Sequence, residues 1–98
     1  MRLIYHPDAE AELIEAAQFY EKRVPTLGAQ WLNAADGAVS LILSTPERWR
    51  IVEQDVRRYL MPRFPYTIYY RVVNDAVRIL AFKHHKRHPD YWRYRLSN

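Results

Sequence analysis

A two-residue turn between two β-rich runs is the feature that most constrains this fold. Residues 66–73 are rich in Tyr, Ile and Val, and residues 76–83 continue that character after Asn74 and Asp75. Both turn residues tolerate positive φ, which a tight two-residue hairpin turn requires. The sequence therefore predicts an antiparallel hairpin in which Val73 lies opposite Ala76.

The predicted register divides the hairpin side chains between two faces of a sheet. The face expected to form the core under the helices carries the pairs Val72–Val77, Tyr70–Ile79 and Ile68–Ala81. The other face carries Arg71–Arg78, Tyr69–Leu80 and Thr67–Phe82, and His84 would extend it. Like charges directly opposite each other destabilise a sheet. The arginine pair therefore requires an acidic neighbour, a bound anion or partner, or side chains that splay into solvent.

The first half of the chain predicts an antiparallel helical hairpin after a short strand over residues 2–5. Pro7 suits the first turn of a helix, and apolar residues at helical spacing predict that helix over residues 7–23. Its carboxylates are typical of a solvated face. Thr26 is a candidate N-cap for the second helix, and a break this short makes the two helices antiparallel. The predicted buried stripe of the second helix is Leu32, Ala35, Val39, Ile42 and Leu43.

The remaining elements complete a three-stranded antiparallel meander. Residues 47–55 suggest a polar connection, residues 56–61 a strand closed by Pro62, and residues 90–96 a final helical turn. Helices grouped before an antiparallel sheet favour an α+β fold with the helices on one face. A length of 98 residues allows one domain, which we expect over residues 1–98.

Several function classes lack their sequence signatures. There is no cysteine, which excludes disulfides and thiolate metal sites. With two glycines in the chain there is no dinucleotide loop, and the P-loop, HExxH and nucleophile-elbow motifs are missing. We therefore expect no cofactor and no metal. No apolar run is long enough for a signal peptide or a membrane span, so we expect a cytoplasmic protein without membrane contact.

Positive charge is concentrated in the second half of this basic protein. Residues 1–45 carry three Lys or Arg against six Asp or Glu, whereas residues 46–98 carry twelve against five. The densest cluster, residues 84–88, is followed by aromatic and basic residues. This pattern suits nucleic acid, a protein-binding hot spot or a solvated basic tail. The candidate target-binding residues are Arg71, Arg78, Lys86, Arg87, Tyr91, Trp92 and Arg93.

Three segments, in this order, resemble the RelE/ParE toxin superfamily. They are Tyr5-His6-Pro7-Asp8-Ala9-Glu10-Ala11-Glu12-Leu13, Arg63-Phe64-Pro65-Tyr66-Thr67-Ile68-Tyr69-Tyr70-Arg71-Val72 and His84-His85-Lys86-Arg87-His88-Pro89-Asp90-Tyr91-Trp92. The resemblance covers nearly the whole chain. It implies a helical hairpin packed on an antiparallel sheet. It also implies the toxin of a type II toxin–antitoxin system, with a role such as plasmid stabilization, neutralised by a cognate antitoxin.

The superfamily has two branches with different targets. RelE-like members cut mRNA on the ribosome without a metal, and ParE-like members poison DNA gyrase. Carried over from the nuclease branch, the catalytic candidates are Arg58, Arg63, His84, Arg87 and Tyr91. Thr67 stands where that branch has an arginine and cannot supply its charge, so the pattern favours a ParE-like toxin. The alternatives are a RelE-like endoribonuclease and a decayed toxin that acts mainly in a regulatory complex with its antitoxin.

Overall fold

The chain folds as a strand, two helices and a run of four further strands. The structure is a computed structural model and describes residues 1–97. Its elements are β1 (Arg2–Tyr5), α1 (Pro7–Arg23), α2 (Leu27–Ser44), β2 (Ile51–Glu53), β3 (Val56–Leu60), β4 (Tyr66–Val73), β5 (Ala76–His84) and a 3-10 turn (Arg93–Ser97). Within the described range, no helix is both long and apolar enough to cross a membrane.

The five strands form one mixed sheet in the order β1-β5-β4-β3-β2. The antiparallel meander of β3, β4 and β5 confirms the predicted α+β fold. Two strand pairings extend it. β1 runs parallel to β5 at one edge, and β2 forms at the other edge within the predicted polar connection.

A β-bulge in β5 changes the predicted hairpin register. The Asn74–Asp75 turn has φ of 50° and 60°, and the pairs from it to Tyr70–Ile79 are as predicted. Beyond that point Leu80 is an extra residue, and the observed pairs are Tyr69–Ala81, Ile68–Phe82 and Thr67–Lys83. The predicted pairs Ile68–Ala81, Tyr69–Leu80 and Thr67–Phe82 are therefore wrong. An extra residue turns every later side chain to the opposite face, so Phe82 and His84 lie on the helix side.

The core between the helices and the sheet is built around Trp31. Its side chain is fully buried, its Nε1 donates to the Leu13 carbonyl at 2.9 Å, and its ring lies 4.5 Å from that of Tyr66. Leu32, which the sequence placed in the core, is 43% exposed. The other predicted residues of the stripe pack in the core, where Ala35, Val39 and Ile42 are buried and Leu43 is partly buried. Trp31 and Ala38 complete the buried stripe of α2 at a helical spacing.

The turn between the helices depends on Glu21 and Gly28. The Glu21 carboxylate accepts the backbone N–H groups of Thr26 and Gly28 at 3.0 and 2.9 Å. Thr26 is the N-cap residue of α2, but its φ is 71° and its side chain makes no cap bond, so the capping expected of its hydroxyl comes from Glu21 instead. A Cβ at Gly28 would lie 2.6 Å from the Ala17 carbonyl oxygen. Glycine is therefore required where the two helices cross.

Replacing Ile79 with alanine tests the core assignment. Ile79 is fully buried between the sheet and the helices, so Ile79→Ala should reduce the free energy of unfolding by roughly 2–5 kcal/mol. The exposed Leu32 is the matched control, and Leu32→Ala should cost under about 1 kcal/mol. Urea unfolding measures both. Equal losses would contradict the observed face assignment.

Candidate functional site

The sheet face opposite the helices is covered by the residues that follow β5. Residues 90–97, here called the C-terminal segment, place Trp92 on this face, where it is 2% exposed. Its ring stacks on that of Tyr69, with the ring centroids 4.9 Å apart and the ring planes inclined by 22°. Val56, Leu80 and Ala81 complete this second apolar cluster. The centre of the face expected to meet a partner is therefore occupied by the chain itself.

A buried ion pair holds the C-terminal segment in place. Arg95 is 4% exposed, and its two terminal nitrogens each donate to one oxygen of Glu12 on α1 at 2.9 Å. Arg95 Nη1 also donates to the Leu80 carbonyl at 2.9 Å. A bidentate arginine–carboxylate pair is directional as well as strong. It therefore fixes the position of the segment relative to both α1 and β5.

Glu12 also completes hydrogen bonds at the edge of β5. The β1–β5 pairing ends at Tyr5–Ile79, so β5 continues beyond its neighbour. Glu12 accepts the Phe82 backbone N–H at 3.0 Å and the Tyr91 hydroxyl at 2.7 Å. Buried backbone groups need such partners. Side chains from α1 and the C-terminal segment thus take the place of a strand along this part of β5.

Tyr91 is held in its protonated form. Burial and the hydrogen bond it donates to Glu12 raise the pKa of its hydroxyl well above the ordinary value. The Arg87 guanidinium lies over its ring at 4.1 Å from the centroid, and that of Arg95 lies at 5.0 Å. Both are cation–π contacts. The Tyr91 ring therefore lies between the anchor at Glu12 and the basic residues before the segment.

Surface ion pairs add further contacts around the segment. Arg93 binds Glu53 at 2.7 Å and Asp90 at 3.2 Å. Arg71 binds Asp55 at 2.9 Å and donates to the Leu96 carbonyl at 3.4 Å. Arg71 does lie opposite Arg78, and its charge is compensated by an acidic neighbour, one of the three solutions that the sequence allowed. Exposed pairs of this kind contribute little individually.

The last residue of β5 and the turn after it, residues 84–89, are here called the basic loop. Two histidines shape it, since His84 Nδ1 accepts the Lys86 N–H and His88 Nδ1 accepts the Asp90 N–H, both at 3.1 Å. Partial burial, followed by repulsion from Lys86, His85 and Lys83, lowers the pKa of His84 below its ordinary value. His84 is therefore neutral near neutral pH. Lys86 and Arg87 carry the positive charge of the loop, and both are exposed.

The nuclease candidates lie on different sides of the sheet. Arg58 lies opposite Tyr69, on the face covered by the C-terminal segment. Arg63 donates to Gln30 on α2 at 3.0 Å, on the helix side. Arg87 contacts Tyr91 beyond the end of β5. Arg58 and Arg63 therefore do not approach a common phosphate position.

The target-binding candidates differ in exposure. Lys86, Arg87 and Arg93 are exposed, Arg71, Arg78 and Tyr91 are partly buried, and Trp92 is buried.

Sequence reasoning missed Glu12 and Arg95, the two residues that organise this region. Glu12 belonged to a pattern typical of a solvated helix face, and 83 residues separate it from Arg95. No local spacing could have joined them.

Comparison with known proteins identifies the family. The family described as "ParE toxin of type II toxin-antitoxin system, parDE" has a sequence model that matches residues 3–89. The chain belongs to the ParE toxin family. This confirms the predicted assignment to a toxin of a type II toxin–antitoxin system, a class that has an antitoxin as partner. The C-terminal segment lies beyond the matched residues.

A solved structure shares the fold of this ParE family member. It is described as "Chromosomal ParDE TA system from P. aeruginosa" and aligns with a TM-score of 0.75 at 20% sequence identity. The alignment covers 86% of this chain and 95% of that chain. At this identity the likeness establishes the fold alone. The curated proteins that were compared include no match.

Replacing Glu12 with glutamine tests the anchor. Glu12→Gln removes the charge that compensates buried Arg95, so it should reduce the free energy of unfolding by roughly 3–5 kcal/mol. Glu15, exposed one turn along α1, is the matched control, and Glu15→Gln should change stability by under about 0.5 kcal/mol. Chemical denaturation of the two variants gives the comparison. A Glu12→Gln variant as stable as the control would rule out the anchor.

Proposed function

We propose that this ParE family member arrests growth by binding DNA gyrase through its basic loop and the adjoining basic side chains. Family membership supports the toxin role, and the ParE branch supplies gyrase as the precedent for the target. In this proposal residues 1–98 act as one toxin domain in the cytoplasm. A cognate antitoxin neutralises the toxin by binding it.

The hydrogen bonds of His84 and Tyr91, the two candidates for proton transfer, favour this proposal over the nuclease alternative. RNA cleavage by a 2′-hydroxyl requires a general base and a general acid within hydrogen-bond reach of the reacting atoms. The Tyr91 hydroxyl already donates to Glu12, and its pKa is raised. His84 Nδ1 accepts from Lys86, so the neutral ring carries its proton on Nε2 and has no free lone pair. Neither group is poised to take up a proton.

The charge missing at Thr67 is not replaced by its neighbour. Thr67 is buried and lies opposite Lys83. The Lys83 ammonium donates to the His84 carbonyl at 3.3 Å, and burial, with repulsion from Arg87, lowers its pKa. A phosphoryl transition state needs fixed positive charge directed at it. Lys83 does not direct a fixed charge outward from this position, which also favours binding over cleavage.

The proposed target surface consists of exposed cations on a rigid support. Lys86, Arg87 and Arg93 project outward, with Arg71 and Arg78 partly exposed at the hairpin. Tyr91, also among the proposed target-binding residues, lies under Arg87 at 4.1 Å, and Trp92, another of them, holds the C-terminal segment on the sheet. A concentrated positive surface steers association with an acidic partner surface. The contact between Arg87 and Tyr91 limits the side-chain freedom that Arg87 loses on binding.

Replacing Arg87 with alanine tests this proposal. The purified wild-type chain should inhibit gyrase supercoiling. Arg87→Ala should weaken this inhibition about tenfold, because the loss of one charged contact reduces the binding affinity by about that factor. Arg23, exposed at the end of α1 and stacked on Phe19, is the matched control and should behave as wild type. A point variant is preferable to deleting residues 90–97, since deletion would expose Tyr69 and Leu80.

RNA ends mapped after brief induction provide the contrary outcomes. The proposal predicts growth arrest without new mRNA ends. Codon-linked cuts with unaffected supercoiling would establish the RelE-like nuclease instead. Absence of growth arrest would identify a decayed toxin that acts in a regulatory complex with its antitoxin.

A further inference from the structure

A pocket lies between α1 and the end of β5, beside the basic loop. It encloses about 310 Å³, which is near the lower limit of pockets that bind small molecules. One wall belongs to α1 and includes Glu12, Glu15 and Phe19, and the opposite wall includes His84 and Arg87. The size of the pocket suits one small organic molecule.

Aromatic rings form the apolar part of this pocket. Tyr66 and Phe82 line it from the sheet, and Phe19 lines it from α1. The Tyr66 ring lies 4.5 Å from that of Trp31, and the Phe82 ring stacks on that of Tyr5 at 6.1 Å, so the core holds both rings in place. Phe19 is 51% exposed. Aromatic rings of this kind bind planar bases by stacking, so the body of the ligand is expected to be planar.

Glu15 is the carboxylate in this pocket that is available to a ligand. Glu12 lines the same pocket, but its oxygens already accept from Arg95, Tyr91 and the Phe82 backbone. Glu15 is exposed and forms no ion pair with another residue of the described range. A carboxylate can accept two parallel hydrogen bonds from two adjacent donors. The ligand therefore presents N–H or O–H donors on this side.

Arg87 supplies positive charge on the other side of the pocket. Its guanidinium lies over the Tyr91 ring at 4.1 Å and forms no ion pair among residues 1–97. His84 Nδ1 accepts the Lys86 N–H, so the neutral imidazole keeps its Nε2–H as a second donor. Arginine binds phosphate through two parallel N–H donors. The ligand is therefore anionic on this side.

We propose that this pocket binds a free guanine nucleotide. Among the common bases, guanine presents two adjacent donors, N1–H and the exocyclic N2 amine, and these match the two oxygens of Glu15. The purine stacks on the aromatic rings, and the 5′-phosphate accepts from Arg87. Adenine carries an acceptor beside its amine and offers Glu15 one donor. The inference goes beyond the proposed function, since no part of the pocket requires gyrase.

Calorimetric titration of the purified chain with GMP tests the pocket. The wild-type chain should bind one GMP, at least about tenfold more tightly than AMP, because adenine forms one charge-assisted bond where guanine forms two. Glu15→Gln should weaken GMP binding about tenfold and change AMP binding less than about threefold. Glu10, exposed on α1 outside the pocket, is the matched control, and Glu10→Gln should stay within about threefold of wild type.

Two further variants test the phosphate and stacking contacts. Arg87→Ala should weaken GMP binding about tenfold, and binding of guanosine, which lacks the phosphate, should stay within about threefold of wild type. Phe19→Ala should weaken GMP and AMP binding alike by at least about fivefold, because stacking is common to both bases. Such a pattern distinguishes this pocket from general attraction of anions to a basic protein.

Several results would overturn the nucleotide site. These are no binding of GMP at about 1 mM, equal affinity for GMP and AMP, equal losses in Glu15→Gln and Glu10→Gln, or binding of a dinucleotide with the same 5′-guanylate more than about tenfold tighter than GMP. The last result would assign the pocket to the end of an RNA strand.

The supercoiling assay keeps the two proposals separate. A chain that binds GMP with the predicted pattern but leaves supercoiling unaffected would overturn the proposed function alone. A chain that inhibits supercoiling but binds no GMP would overturn the nucleotide site alone.

Discussion

The ion pair between Glu12 and Arg95 is the interaction on which the arrangement of this molecule depends. One carboxylate on α1 accepts both terminal nitrogens of the guanidinium, the Phe82 backbone N–H and the Tyr91 hydroxyl. A buried charge is costly unless it is fully hydrogen-bonded, and a complete polar network specifies one geometry. The pair therefore joins the first helix, the central hairpin and the last residues described in the chain.

This anchor has two consequences for the surface of the toxin. It holds Trp92 against Tyr69, so that one sheet face is filled, and it fixes Tyr91, whose ring lies under Arg87 of the basic loop. Glu12 also accepts the hydrogen bond of the Tyr91 hydroxyl, and Tyr91 is one of the two candidates for proton transfer in the nuclease alternative.

Local signals predicted most of the secondary structure, and long-range packing decided the rest. Pro7 and the Asn74–Asp75 turn are local features, and the elements they predicted are present. The bulge at Leu80 has no such signal, because it is the packing of Phe82 beside Tyr5 and Trp31 that selects it. Exposure at Lys86 and Arg87 was predictable from charge. Burial of Trp92 was not, since it depends on an anchor contributed by a distant helix.

Native-state hydrogen exchange of the wild-type chain tests the central claim most directly. The Arg95 amide donates to the Trp92 carbonyl at 2.9 Å. If the Glu12–Arg95 pair fixes the C-terminal segment, this amide and that of Phe82 should exchange only through openings that cost as much free energy as the opening of β5. Termini without such anchors open at nearly no cost. Protection of both amides equal to that of central β5 amides is the predicted result. Rapid exchange of residues 92–95 beside a protected β5 would contradict the account.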